Sequence, residues 1–326
     1  VDIEQLLTWI EVEEDRTKIA EAEVVTGEVK SLFPSQLDFK SPFALSLRYN
    51  FPIDFIERLI DDLGFNKTQR FLDKYSNVYQ IHGRLNTIKT DAETFYQNHQ
   101  DFSPIDLKDA FVYQGKASIK SLPSYKDCSF YTMPVTDLQI AEKMVSFSPQ
   151  TALIVEQEKT SMVIDLAKQL PQLTLEMIVA SKHRYHVVNS VIAMFELQQV
   201  SVATDDRIEA LNLYDLIYLT PTSSNLEQIK ARPDFFIGFD LEKDYASAIY
   251  QQLEDYQKHV APDGHMVVKV GSLLRSETIE ISTKFIEQHS DFTLEFQRQY
   301  MPYHREQTIA YYAIFRKKIT DENKSL

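Results

Sequence analysis

Apolar residues in the second half of the chain alternate between short continuous runs and longer segments with helical spacing. Four runs have strand length and end in polar residues: TALIVEQ (151–157), LEMIVAS (175–181), VSVATDD (200–206) and YDLIYLT (214–220). Between them, residues 160–170 and 183–197 place apolar side chains three and four positions apart, which predicts amphipathic helices. Such alternation predicts an α/β domain with a doubly wound, mostly parallel sheet.

The same pattern continues to the end of the chain. Residues 244–261 predict a long helix, GHMVVKVG (264–271) a strand, residues 276–290 a further helix and TIAYYAIFRKK (308–318) a last strand. Residues 137–147, just before the first strand run, predict a helix. The large domain is therefore expected to finish with a strand, a helix and a strand.

The first half of the chain predicts shorter elements. IDFIERLIDDLGF (53–65) has the spacing of a helix that stops at Gly64, and residues 67–75 predict a second short helix. IHGRLNT (81–87) predicts a strand, and residues 90–99 a helix with Thr90 as its N-cap. Short strands and turns are expected over the stretch that leads to the next helix, residues 110–135.

These elements divide the chain into four predicted regions. Residues 1–40 form an acidic, helical N-terminal segment and linker, and the proline-punctuated stretch LFPSQLDFKSPF (32–43) marks the linker. Residues 41–134 form a small α+β domain, residues 135–318 the large α/β domain, and residues 319–326 a tail.

Composition narrows the class of protein. The chain has 326 residues, of which 44% are apolar, and no apolar run approaches the roughly 20 residues that cross a bilayer. The N-terminal stretch VDIEQLLTWIEVEEDR is acidic and amphipathic, unlike a secretory signal. Cys128 is the only cysteine, which rules out an internal disulfide and a cysteine-based zinc site. We therefore predict a soluble, cytoplasmic protein with no membrane partner and no metal.

Charge and glycine content limit the ligands. The net charge of −14 argues against a surface wrapped broadly around nucleic acid, although a local basic groove remains compatible with it. The chain has only 7 glycines, and none lies between Gly115 and Gly238. Loops that bring the backbone close to a phosphate or ribose need glycine, so few such loops are expected.

Five segments follow one another in the order of one family's motifs. They are GRLNTIKT (83–90), VTDLQIAEKMV (135–145), NLYDLIYLTPTSSN (212–225), ARPDF (231–235) and VAPDGHMVVKVGSLLRSETIE (260–280). In that order they resemble the R-x-N-T-x-K, V-Q-D, D-A-P-C-S-G, R-x-P-D and T-C-S segments of the RsmB/Sun (Nol/Nop/Sun) family, which are S-adenosylmethionine-dependent RNA cytosine-5 methyltransferases. The resemblance covers residues 41–318. It implies a class I methyltransferase (Rossmann-like) fold preceded by a small α+β RNA-binding-like domain.

The resemblance also implies that the catalytic cysteines are missing. In the family, the cysteine of T-C-S attacks carbon 6 of cytosine and the cysteine of P-C-S assists product release. Gly271 and Ser223 stand at those two positions, and Thr220 stands at the aspartate before A-P-C-S. A serine hydroxyl without an adjacent base is a far weaker nucleophile than a thiolate. No catalytic residue is therefore predicted.

The cofactor-binding motifs differ in the same way. Where the family has D-x-C-A-A-P-G-G-K-T, this chain has LIVEQEKTSMV (153–163), and a β-carbon at the glycine positions obstructs close approach of the cofactor. The acid expected after the second strand is replaced by serine, while a third carboxylate could survive at Asp205 or Asp206. Glu156 is either a displaced ligand or a solvated strand-end acid. The cleft positions are Glu156, Lys159, Thr160, Ser161, Ser181, Asp206 and Thr220.

Four residues resemble the RNA-facing positions of the family: Arg84, Asn86, Lys89 and Arg232. They are predicted to contact phosphate. In the alternative interpretation, Arg84 and Asn86 tie a strand to a helix, and Arg232 forms a structural ion pair with Asp234.

Three hypotheses for function follow. The first is a pseudo-methyltransferase that has lost cofactor and nucleophile and binds structured RNA, such as ribosomal RNA, or a protein partner. The second is an active enzyme that uses S-adenosylmethionine with altered chemistry, since methyl transfer to nitrogen or oxygen needs no cysteine. The third is a non-catalytic subunit or interaction scaffold beside an active homologue.

Overall fold

The computed structural model describes residues 41–75, 80–155, 159–204, 212–229, 243–304 and 308–319. The predicted segment 1–40 and all of the predicted tail except its first residue lie outside this range. Two compact units divide between Gln69 and Arg70.

Helices begin the described chain. They are α1 (Pro42–Tyr49), α2 (Ile53–Leu63) and α3 (Phe65–Lys74). Ser41 caps α1, since its side chain accepts a hydrogen bond from the backbone N–H of Ala44 at 3.2 Å. The predicted linker therefore ends before residue 42. Gly64 ends α2 at a φ of 80°, a conformation that glycine adopts without strain, as the sequence predicts.

A four-stranded antiparallel sheet follows, with strand order β2-β3-β1-β4. Its elements are β1 (Ile81–Leu85), α4 (Ala92–Asn98), β2 (Phe102–Pro104), β3 (Ala110–Tyr113), α5 (Pro123–Lys126) and β4 (Phe130–Thr132). The N-cap of α4 is Asp91, whose carboxylate accepts the backbone N–H of Thr94 at 2.8 Å, so the prediction of Thr90 as the cap is wrong.

The large sheet has seven strands in the order β10-β11-β9-β8-β5-β6-β7. Strands β9, β8, β5, β6 and β7 are parallel, whereas β11 runs antiparallel to both β9 and β10. This topology confirms the doubly wound sheet. Its elements are α6 (Val135–Ser146), β5 (Thr151–Val155), α7 (Ser161–Gln169), β6 (Thr174–Val179), α8 (Lys182–Met194), β7 (Val200–Thr204), β8 (Tyr214–Leu219), α9 (Tyr245–Gln257), β9 (Val260–Val270), α10 (Ile279–Gln288), β10 (Phe292–Tyr300) and β11 (Ala310–Lys317).

Both faces of the central strands of the large sheet are buried. On β5, Ile154 packs into the apolar cluster that includes α6 and α7, while Leu153 packs into the cluster that includes α9 and α10. Side chains alternate between the two faces of a strand, so a strand covered on both sides reads as a continuous apolar run. This explains why the parallel strands were clear in the sequence. No helix within the described ranges combines the length and apolar character needed to cross a membrane.

Candidate functional site

The candidate site lies at the carboxyl ends of β5, β8 and β9, which are adjacent in the sheet. In doubly wound sheets this edge holds the ligand. Thr220, the first residue after β8, donates its backbone N–H to the carbonyl of Val155 at 3.0 Å and its hydroxyl to the same oxygen at 3.3 Å. The hydroxyl at the family's aspartate position is therefore bound to the end of β5.

A buried ion pair lies beside this edge. The ammonium of Lys269, on β9, donates to the two carboxylate oxygens of Asp137, on α6, at 3.0 and 3.1 Å. The hydroxyl of Tyr312 also donates to Asp137. Burial opposes both charges, but the lysine lowers the pKa of Asp137, and the carboxylates of Asp137 and Glu227 hold the pKa of Lys269 well above its ordinary value. Both groups are therefore charged at neutral pH.

The side chain of Glu227 lies against Gly271, the residue that the resemblance matches to the family's T-C-S cysteine. Glu227 lies in a single 3₁₀ turn, Leu226–Gln228, and its backbone N–H donates to the carbonyl of Gly271 at 3.2 Å. A β-carbon on Gly271 would lie 2.9 Å from Cγ and 3.0 Å from Cδ of Glu227. The carboxylate of Glu227 lies 3.4 Å from Nζ of Lys159 and 3.7 Å from Nζ of Lys269. Glycine at 271 therefore makes room for an acidic side chain.

The loops that follow β8 and β9 are bound to each other. The backbone N–H of Ser224 donates to the buried carboxylate of Glu277 at 2.9 Å, and the hydroxyls of Ser224 and Ser272 lie 3.0 Å apart. Ser272 also accepts the backbone N–H of Leu274 at 3.1 Å, and Gln299 donates to the carbonyl of Ser272 at 3.0 Å. These hydrogen bonds pair polar groups of the two loops with other groups of the protein.

No thiol lies at the candidate site. Ser223 is buried, and its hydroxyl both donates to the side-chain oxygen of Asn225 and accepts the backbone N–H of that residue, each at 3.3 Å. This arrangement favours a turn role for Ser223. Cys128 is buried against Tyr131, Ile164 and neighbouring apolar residues, and burial raises the pKa of its thiol. A buried thiol of raised pKa is a poor nucleophile.

The described cleft residues differ from the family's cofactor-binding motif. Thr160 and Ser161, at the family's glycine positions, lead directly into α7, and both carry a β-carbon where the family's backbone approaches the cofactor. Ser181 uses its hydroxyl to accept the backbone N–H of Arg184 at 3.1 Å and caps α8, so no carboxylate follows β6 to bond a ribose. Glu156 and Asp206 lie outside the described residues.

Two of the four predicted RNA-binding residues are buried. Arg84 is 2% exposed and donates from Nε to Asp165 at 2.7 Å, and from Nη1 to the carbonyl of Lys108. Asn86 is 1% exposed and donates to the carbonyl of Cys128 at 2.9 Å. Arg84 therefore ties β1 to α7, whereas Asn86 binds the loop that precedes β4 within the small sheet. A phosphate contact by either side chain would require this packing to open.

The other two RNA-binding positions have different outcomes. Lys89 is exposed and donates to the carbonyl of Asp127 at 2.9 Å, so its ammonium remains accessible to a phosphate. Arg232 and Asp234 lie outside the described residues. Lys89 is therefore the predicted position that is best placed for an RNA contact.

Sequence reasoning missed the charged groups at the centre of the site: Asp137, Glu227, Lys269 and Glu277. Lys269 had a usable signal, since it is a lone charge within the apolar run of β9. Glu227 had none, because its position depends on how the chain folds back over Gly271. Among the described residues, no group of three or more histidine, cysteine, aspartate or glutamate side chains could hold a metal ion.

Comparisons with known proteins agree with the topology. No protein-family model matches the chain, and no curated protein matches its sequence. Among solved structures, PH0851 has a TM-score of 0.75 at 17% identity and aligns with 88% of this chain and 71% of its own. A methyltransferase homolog protein from Pyrococcus horikoshii has a TM-score of 0.69 at 16% identity, with 85% and 99% of the two chains covered.

A third solved structure, NSun6 from Pyrococcus horikoshii with SFG, also has a TM-score of 0.69, at 12% identity, and aligns with 84% of this chain and all of its own. At such low identities the likeness concerns the fold. The strand order and these likenesses together establish that the chain has the class I methyltransferase, Rossmann-like fold.

Proposed function

We propose that this chain is a pseudo-methyltransferase of the RsmB/Sun type, which binds RNA or a protein partner without transferring a methyl group. The observation that carries the proposal is the state of the two cysteine positions. Ser223 is buried within a turn, and Gly271 lies under the side chain of Glu227. Attack on carbon 6 of cytosine needs a thiolate at this edge of the sheet, and neither position supplies one.

The cofactor cleft supports the same proposal. Thr160 and Ser161 carry side chains at positions where the family has glycine. Ser181 caps a helix where a ribose-binding acid would be expected. S-adenosylmethionine would therefore lose both the close backbone approach and the hydroxyl contact that such folds use.

The partner is either structured RNA, with ribosomal RNA as one candidate, or a protein. Lys89 is exposed on the segment that resembles the RNA-facing motif, which favours RNA. The net charge of −14 favours a protein partner, as in a non-catalytic subunit beside an active homologue. Both partners fit a chain that has kept the fold while its site has lost the groups needed for cytosine methylation.

An active enzyme with altered chemistry is the alternative. Methyl transfer to nitrogen or oxygen needs no cysteine, and NSun6, a protein with a similar fold, was solved with SFG. In that case S-adenosylmethionine would bind in a mode that needs neither the glycine bend nor the acid after β6.

A methyl-transfer assay tests the proposal. Purified protein is incubated with S-adenosylmethionine labelled in the methyl group and with ribosomal or total cellular RNA. We expect no label in RNA above that of a heat-denatured sample. Label in RNA cytosine would contradict the proposal, and label on another base would support the alternative enzyme.

Binding to RNA is tested at Lys89. If RNA is the partner, Lys89→Gln weakens binding and lowers the slope of log affinity against log salt by about one unit. Lys116→Gln, at another exposed lysine, is the matched control and leaves the slope unchanged. Equal slopes in all three proteins would remove Lys89 from the interface.

A further inference from the structure

Two ammonium groups converge on one carboxylate at the site. Oε1 of Glu227 lies 3.4 Å from Nζ of Lys159, and Oε2 lies 3.7 Å from Nζ of Lys269. The Lys159 side chain is 39% exposed, and that of Glu227 is 21% exposed. The Lys269 side chain is nearly buried at 8%. The carboxylate is therefore reachable from solvent, with one partly exposed lysine and one buried lysine beside it.

Among the charged groups that the structure describes here, namely Lys159, Lys269, Asp137 and Glu227, the charges balance when Glu227 is present. Lys269 is closer to Asp137, at 3.0 Å, than to Glu227. Asp137 therefore neutralises Lys269, and Glu227 is the counter-ion of Lys159. Removing the Glu227 carboxylate would leave one excess positive charge in a partly buried place. An uncompensated charge of that kind is costly, so the place would attract an anion from solution.

Glu227 can leave this position without disturbing the sheet. Its backbone is fixed by the bond to the carbonyl of Gly271 and by the turn after Asn225, which has a φ of 53°. The side chain lies over Gly271, where no β-carbon confines it. Rotation about the side-chain bonds of Glu227 therefore moves the carboxylate away from the two lysines while the turn stays in place.

We propose that Lys159 and Lys269 form an anion site, which the Glu227 carboxylate fills from within the chain and which an oxyanion of a small ligand, a phosphate or a carboxylate, fills when Glu227 turns away. This inference goes beyond the proposed function. It concerns the kind of ligand that the site accepts, and it stands whether or not the chain transfers methyl groups. The tethered carboxylate competes with every incoming anion, so the site is weak for a free anion.

Calorimetric titration with inorganic phosphate tests the anion site, at an ionic strength held constant with sodium chloride. Glu227→Gln is expected to bind phosphate about tenfold more tightly than the wild type, the change that follows from about 1.4 kcal/mol of lost competition. Lys159→Gln combined with Glu227→Gln is expected to lose this gain. Glu280→Gln, which alters an exposed acid beside Arg275, is the matched control and should behave as wild type.

The result that overturns the proposal is equal phosphate affinity in Glu227→Gln and wild type, or a gain that survives when Lys159 is also replaced. A second titration with acetate separates the two ligand sources: a gain for phosphate alone assigns the site to phosphate groups, and a gain for both assigns it to oxyanions in general. Thermal unfolding gives a readout that does not depend on heat of binding. Phosphate should raise the midpoint of Glu227→Gln and leave that of Glu280→Gln unchanged, and the absence of such a rise would also overturn the proposal.

Discussion

The guanidinium of Arg84 is a buried charge that joins the small sheet to α7. Its Nε donates to Asp165, a carboxylate that also accepts from the hydroxyl of Tyr131 at 2.7 Å. Burial raises the pKa of Asp165, although Arg84, Tyr131 and Gln169 all oppose the rise. Removing one member of a buried pair leaves the other charge without compensation.

We expect Arg84→Ala to lower the free energy of unfolding by about 3–5 kcal/mol, the range for breaking a buried ion pair. Arg275→Ala is the control, because its side chain is 49% exposed in a surface pair with Glu280 and should change stability by about 0.5 kcal/mol or less. Urea denaturation of both variants measures the difference. Similar stability of the two variants would show that Arg84 is not structural.

Asp137 gives a prediction for how the stability of the protein depends on pH. Burial opposes its ionisation, but Lys269, Lys159 and Tyr312 together lower its pKa in the folded state. The carboxyl group of an aspartate in the unfolded chain has a pKa of about 3.9. The stability that Asp137 contributes is therefore complete above that pH and is lost as the pH falls through the lower, folded-state pKa.

The difference in unfolding free energy between wild type and Asp137→Asn should accordingly be constant from neutral pH down to about pH 4 and shrink below it. Urea denaturation at a series of pH values measures this difference. A difference that grows on acidification would contradict the assignment of a lowered pKa to Asp137.

Gly271 gives a prediction about the space that Glu227 fills. A β-carbon there would lie 2.9 Å from Cγ of Glu227, a side chain that can rotate aside, so Gly271→Ala should cost about 1 kcal/mol, the low end of the range for overpacking. In a chain that also carries Glu227→Ala, the same substitution should cost much less, because the crowding atoms are gone. A double-mutant cycle measured by urea denaturation gives the coupling, and additive effects would show that the two side chains do not compete for space.

At the scale of elements, the loops after β8 and β9 behave as one fastened segment. The link is the hydrogen bond from the backbone N–H of Ser224 to Glu277, together with the pair of hydroxyls on Ser224 and Ser272. In the active enzymes that the sequence resembles, these two loops carry the two cysteines. Here their polar groups are used to hold the loops together.

Replacement of Glu277 should release both loops at once. Glu277→Ala leaves the buried N–H of Ser224 without its acceptor, and an unmade buried bond costs about 1–3 kcal/mol. Hydrogen exchange should therefore speed up in peptides covering residues 220–229 and 271–278 together, with no change in Glu280→Ala. Faster exchange in only one of the two loops would show that they are independent.

The elements themselves were predictable to different degrees. The parallel strands were clear because burial on both faces makes them continuous apolar runs, as in YDLIYL of β8. Strand β10, Phe292–Tyr300, was missed because this edge strand pairs only with β11 and alternates buried with exposed positions, including charged ones. The N-cap at Asp91 was missed by one residue, since threonine and aspartate are both good caps and only the backbone geometry separates them.

At the scale of the whole molecule, the fold was easier to predict from the sequence than the chemistry of the site. The order of the sequence motifs was enough to predict a class I methyltransferase fold. The strands between those motifs are recognisable because burial on both faces makes them apolar runs in the sequence. The contacts within the site were not predictable from the sequence. That Arg84 and Asn86 are internal, and that Glu227 lies over Gly271, depends on contacts between residues 42 to 81 positions apart, which no local pattern records.

The central claim is that this fold persists without a working cofactor cleft, and calorimetric titration with S-adenosylmethionine and S-adenosylhomocysteine tests it most directly. Because Thr160 and Ser161 stand at the family's glycine positions and Ser181 stands where a ribose-binding acid is expected, we expect no heat of binding from either compound up to millimolar concentration. Micromolar binding of either compound would contradict the account and establish the chain as a cofactor-binding methyltransferase homologue with an altered site.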